Sequence, residues 1–90
     1  MRVPDTTLVV SAIFQVAEKV GTEKVTPGMV TSFLTTQFGL NLPLHQVSDI
    51  MSTLGIITHT VQNSRYIIWN ENQMTEIKHE YIGRYDNGIS

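Results

Sequence analysis

His45 and Asp49 stand four residues apart, so on a helix an imidazole and a carboxylate can meet on one face. That is the geometry of a general base and the group that orients it. An exposed helix pair has the same spacing, and the pair is read as that rather than as a catalytic dyad. His45, His59 and His79 fall on three different elements, with no spacing that suggests a metal. The chain has no cysteine, which excludes disulfide staples and thiolate metal sites. Gly21, Gly28, Gly39 and Gly55 punctuate helices and make no phosphate-binding loop. The expectation is no enzyme, no metal and no cofactor.

The side chains left for recognition are amides and hydroxyls, and the elements that carry them decide which way they point. Leu8, Val9, Ala12, Ile13, Val16, Ala17 and Val20 form one apolar stripe and predict a helix over 6–20, capped by Asp5 or Thr6. Lys19 suits its last turn and Gly21 a left-handed exit. A very short strand is expected at Lys24 and Val25. Thr26 before Pro27 starts a helix over 27–38, with Val30, Phe33, Leu34 and Phe38 inward and Gly39 as its stop. Asn41 is expected to cap a helix over 42–54 that buries Val47, Ile50, Met51 and Leu54. A connection this short forces the two helices to cross.

Two β-rich runs over 56–69 predict a hairpin with Asn63 and Ser64 at its turn. Val61 then faces Tyr66, and His59 faces Ile68. Ile57, His59, Val61, Tyr66 and Ile68 are assigned to the core face, and Thr58, Thr60, Ile67 and Trp69 to the other. Asn70 caps a last helix over 71–82, with Met74, Ile77, Tyr81, Ile82 and Tyr85 on one side. The ninety residues read as one domain, 1–90, of α+β class and mainly α.

Helix, short strand, helix, turn, helix and hairpin resembles the winged helix-turn-helix family. The resemblance is clearest in "DIMSTLGIITHTVQNSRYIIW", where an apolar helix ending in Leu-Gly-Ile runs straight into a hairpin. It implies a three-helix core with a β-hairpin wing, followed here by a fourth helix. It also implies a recognition helix whose outward residues are His45, Gln46, Ser48, Asp49, Ser52 and Thr53, and a wing tip of Gln62, Asn63, Ser64 and Arg65. Gln46 has the amide fork that reads adenine, and Arg65 reaches a phosphate or the minor groove. Thr31, Ser32 and Thr35 would donate to phosphate. The implied function is a small DNA-binding regulator acting on double-stranded DNA as a homodimer, with half-sites about 34 Å apart.

Charge cuts against strong binding. From Pro27 to Gly55 there is no Lys or Arg and one anion, Asp49, and the net charge of the chain is -2. Non-specific affinity comes from cations that displace counterions, so intrinsic DNA affinity is expected to be weak. The alternative reading is a winged-helix protein–protein adaptor acting on transcription or replication machinery, in the style of a phage- or plasmid-type accessory protein. Only 16% of residues are charged, against about 25% on average, which fits either a surface covered by a partner or a neutral, Thr-rich one. Trp69, Met74, Ile77, Tyr81, Ile82 and Tyr85 either fold back on the domain or form a dimer or partner surface. "LVVSAIF" is too short to span a membrane, which takes about 20 residues, and lacks signal-peptide flanks. The expected location is cytoplasmic or nucleoid-associated, with no secretion and no membrane.

Overall fold

The chain, described over residues 3–83 by a computed structural model, forms four helices and one two-stranded antiparallel hairpin. In order they are α1 (Asp5–Val20), α2 (Pro27–Phe38), α3 (Leu44–Thr53), β1 (Thr58–Val61), β2 (Ser64–Ile67) and α4 (Glu71–Tyr81). Tyr85, assigned above to the last stripe, lies outside the described residues.

Local chemistry sets most of the boundaries. Thr26 accepts a hydrogen bond from the Met29 N–H and Pro27 opens α2, while Asn70 accepts from the Gln73 N–H at the start of α4. Gly39 takes the left-handed conformation (φ 65°) that ends α2, a geometry glycine adopts at no steric cost. Three expected helix ends differ. The residue before α3 is Pro43, not Asn41, so α3 starts later than expected and makes no side-chain cap bond. Pro4, not Asp5 or Thr6, precedes α1, again without a side-chain cap. Gly21 has a positive φ but an extended ψ of 151°, so the chain leaves α1 outside the left-handed helical region.

The core is built on α1, whose Val9, Val10, Ala12, Ile13 and Val16 are buried. Val30 and Leu34 of α2, Val47 and Met51 of α3, and Met74 and Ile77 of α4 close around it, joined by Val25, Ile56 and Ile67. Phe38, expected inside, is 37% exposed and stands edge-on to the half-buried Phe33. The last helix folds back. Phe14 of α1 meets Trp69 in a T-shaped contact at 5.4 Å between centroids, and Lys78 of α4 sits 5.3 Å over the Phe14 ring. Tyr81 and Ile82 pack partly on the same core. Met74 and Ile77 are therefore core residues and are closed to a second copy.

The hairpin departs most from expectation. Its turn residues are Gln62 and Asn63, both at positive φ, and the pairs are Thr58–Ile67, His59–Tyr66, Thr60–Arg65 and Val61–Ser64. This register sets Ile57 beside Ile68, joined by a 2.8 Å backbone bond, where the expected register set His59 there. The two groups of same-face residues are as expected, but the face that turns inward is the other one. Ile67 is buried, while Ile57, Val61 and Ile68 are 64%, 47% and 43% exposed, and His59 is exposed. The cause is non-local. The Ile67 N–H donates to the Val25 carbonyl at 2.8 Å, which fixes β2 beside the start of α2 with Ile67 pointing in. Lys24 and Val25 form no strand, and that single bond is what the expected pairing becomes. No helix among the described residues is long and apolar enough to cross a membrane.

Candidate functional site

With 3.6 residues per turn, burying Val47 and Met51 fixes where every other α3 side chain points. His45, Asp49 and Ser52 form the outward spine. Leu44 and Ser48 turn toward the hairpin, and Gln46 and Thr53 turn the other way. Two clefts follow this division. On the hairpin side, Thr26, Pro27, Gly28, Leu44, Ser48, Ser64 and Arg65 line an open cleft of about 230 Å³. A smaller recess beneath it adds Met51, Ser52, Ile56 and Thr58 to Pro27, Ser48 and Arg65. On the far side, Gln46, Asp49 and Thr53 share a cleft with Thr6, Ile50, Leu54 and Tyr81. The expected recognition surface is thus split. Ser48, Ser52 and Arg65 come together, while Gln46, Asp49 and Thr53 open toward the ends of α1 and α4. Asn63 stays apart at the exposed hairpin turn.

Arg65 is held in place. Its Nε donates to the Thr58 hydroxyl at 2.8 Å, diagonally across the hairpin on the face that carries Ile67. No carboxylate lines either recess around it. The α2 end of the cleft supplies a donor of its own. Pro27 has no N–H, the Met29 N–H bonds the Thr26 hydroxyl, and the Val30 N–H bonds the Thr26 carbonyl. The Gly28 N–H is what remains of the first-turn donors, and Gly28 lines the cleft. A guanidinium, a helix N-terminus and Ser48 therefore border one opening, a combination suited to an anionic oxygen group. Sequence reasoning missed Thr26, Gly28 and Thr58 as members of this site, while Ser64 was expected at the wing tip. Thr58 was findable once the register was known, because it lies diagonal to Arg65.

The hydroxyls of α2 contribute less than expected. Thr31 donates to the Pro27 carbonyl at 2.9 Å, and Thr35 to the Thr31 carbonyl at 3.3 Å. A hydroxyl has one proton, so these bonds occupy the donor a phosphate would need. Thr53 on α3 is committed likewise, to the Asp49 carbonyl at 3.0 Å. Ser32 lies elsewhere, in a cleft with Lys19, Phe33 and Gln37. Lys19 itself sits 5.3 Å from the Phe33 ring centroid, and its cleft shares Thr26 and Gly28 with that of Arg65. Asp49 stays at the centre of the outward spine, exposed.

Comparison with protein-family models, with curated protein sequences and with solved structures returned no match.

Proposed function

We propose that this chain is a small winged helix-turn-helix module that binds double-stranded DNA weakly as a single copy and acts as a regulator. In this reading β1 and β2 are the wing and α3 is the recognition helix. The observation that carries it is the Arg65 cleft. One cation, the first turn of α2 at Gly28 and Ser48 line one cleft where α2, α3 and the hairpin meet. A backbone phosphate seated there would set α3 along a groove, with His45 and Ser52 nearest the bases. Gln46 lies well round the helix from Ser48, so a shallow approach leaves it off the base edges. Affinity stays low because the cleft holds a single cation and Asp49 stands on the outward spine. The test is anisotropy of a labelled random duplex with the wild type and with Arg65→Ala. The variant is expected to lose most binding, and unchanged binding would remove the cleft from the account.

A second reading is a winged-helix adaptor that binds a protein. It is favoured by the exposed Ile57, Val61 and Ile68 and by the anion on α3, which suit a protein surface better than a phosphate backbone. A module that binds no duplex while keeping its fold supports this reading.

A further inference from the structure

In an antiparallel pair, residues alternate between those whose N–H and C=O bond the neighbouring strand and those whose N–H and C=O point away. The Ile68 N–H bonds the Ile57 carbonyl, so Ile57, His59 and Val61 are the residues of this segment that bond toward β2. Thr58 and Thr60 direct their backbone groups outward. The matching alternation on β2 is visible directly, since the Ile67 N–H points away from β1 and reaches Val25. Among the described elements, β1 packs on nothing but β2. Among the described elements its outer edge is uncovered, and beyond its length of four residues it has none of the usual protection. From Ile56 to Val61 there is no Lys, Arg, Asp, Glu or Pro, and the ladder carries no bulge.

The geometry points to β1 as the docking edge for β1 of a second copy of this chain, giving a continuous four-stranded antiparallel sheet. The register that uses both outward residues is centred on His59. Thr58 of each copy then exchanges two backbone bonds with Thr60 of the other. Around that centre the side chains are self-complementary. Ile57 faces Val61 of the second copy, so two exposed apolar residues, one just before β1 and one at its end, cover each other at the closer, non-hydrogen-bonded spacing. Thr58 faces Thr60 of the second copy on the opposite face, a favourable cross-strand pair. His59 faces His59. Tyr66 and Ile68 continue the apolar face on either side, and Tyr66 already lies 6.2 Å from His59, ring to ring. A foreign strand would meet the same edge, but the Ile57–Val61 match and the Thr58–Thr60 match are both supplied by this strand itself, which favours a second copy. The inference does not depend on DNA binding.

Cysteine placed at the two-fold tests it directly, because the chain has no other. Cα atoms of a non-hydrogen-bonded pair stand about 4.5 Å apart, within disulfide reach. His59→Cys under mild oxidant is expected to convert most of the chain to a covalent dimer, at least ten times faster than Gln62→Cys at the turn. Adding Thr60→Pro to His59→Cys should abolish that advantage, since it removes an outward N–H and leaves the β1–β2 bonds in place. Wild-type amide exchange gives a check that needs no variant. The Thr58 and Thr60 amides should become protected as concentration rises from micromolar to millimolar. Crosslinking no faster than the turn control, or exchange at both amides that does not change with concentration, overturns the proposal. Thr58 borders both surfaces, so the Arg65 cleft is tested separately, by duplex binding of Arg65→Ala.

Discussion

Arg65 Nε donates to Thr58 Oγ1 at 2.8 Å, so the cation of the α3–hairpin cleft is held by a neutral hydroxyl and keeps its full charge for a ligand. Had a carboxylate held it, the pair would offer an anion little. Thr58→Val removes the acceptor and keeps the shape of the side chain. It should leave the fold intact and weaken duplex binding several-fold, less than Arg65→Ala does. Anisotropy titrations of both variants at one salt concentration give the order. Thr58→Val binding worse than Arg65→Ala would show that the hydroxyl, not the guanidinium, meets the DNA.

The hairpin faces make a sharp contrast in stability. His59 is exposed and Ile67 is buried on the opposite face. His59→Leu and His59→Asp should each change stability by less than about 1 kcal/mol. Ile67→Ala should cost about 2–5 kcal/mol, a large part of the stability of a domain this size. Urea unfolding measures all three. A strongly destabilised His59→Asp with a tolerated Ile67→Ala would mean that the faces are exchanged.

What was legible in the sequence was what has a local cause. Thr26-Pro27, Gly39 and Asn70 carry helix starts and stops in their own side chains and backbone freedom, and the limits of α2 and the start of α4 follow from them. The inward face of the hairpin has no local cause. Counting apolar residues favours the side with Ile57, Val61, Tyr66 and Ile68, yet the hairpin docks through Ile67, buried in the core and bonded to Val25 far away in sequence, and that side faces out. The site divides the same way. Arg65 was visible as the lone cation of the hairpin. Its convergence with Gly28 and Ser48 depends on how three elements meet, and the commitment of Thr31 and Thr35 to their own helix depends on hydroxyl rotamers.

Two glycines should respond in opposite directions to alanine. At Gly28, inside the first turn of α2, the nearest atom to an added Cβ is the Thr26 hydroxyl at 3.9 Å. Gly28→Ala is therefore expected to stabilise by about 0.4–1 kcal/mol through the unfolded state. At Gly55 the φ is +82° and an added Cβ would come within 3.1 Å of Gln73 Nε2, which bonds the Gly55 carbonyl. Gly55→Ala should destabilise by about 1–3 kcal/mol. Thermal melts of the pair decide, and a stabilising Gly55→Ala would refute the positive φ at that turn.

Deleting the chain after Asn70 removes Met74 and Ile77 from the core and uncovers Phe14 and Trp69. The truncated chain should be largely unfolded at 25 °C, seen as lost near-ultraviolet circular dichroism. A truncated chain that stays cooperatively folded would contradict the fold-back of α4.

The most direct measurement of the proposed function is a salt titration of binding to random duplex DNA. Arg65, with at most Lys24 beside the base of the hairpin, should neutralise one or two phosphates, giving a slope of log K against log salt of about -0.9 to -1.8. The affinity at physiological salt should be weaker than a non-specific Kd of about 10⁻⁴ to 10⁻⁶ M, and Arg65→Ala should flatten the slope by roughly one phosphate. Tight binding with a slope steeper than about -4 would require a different cationic face, and no binding at any salt would contradict the DNA reading outright.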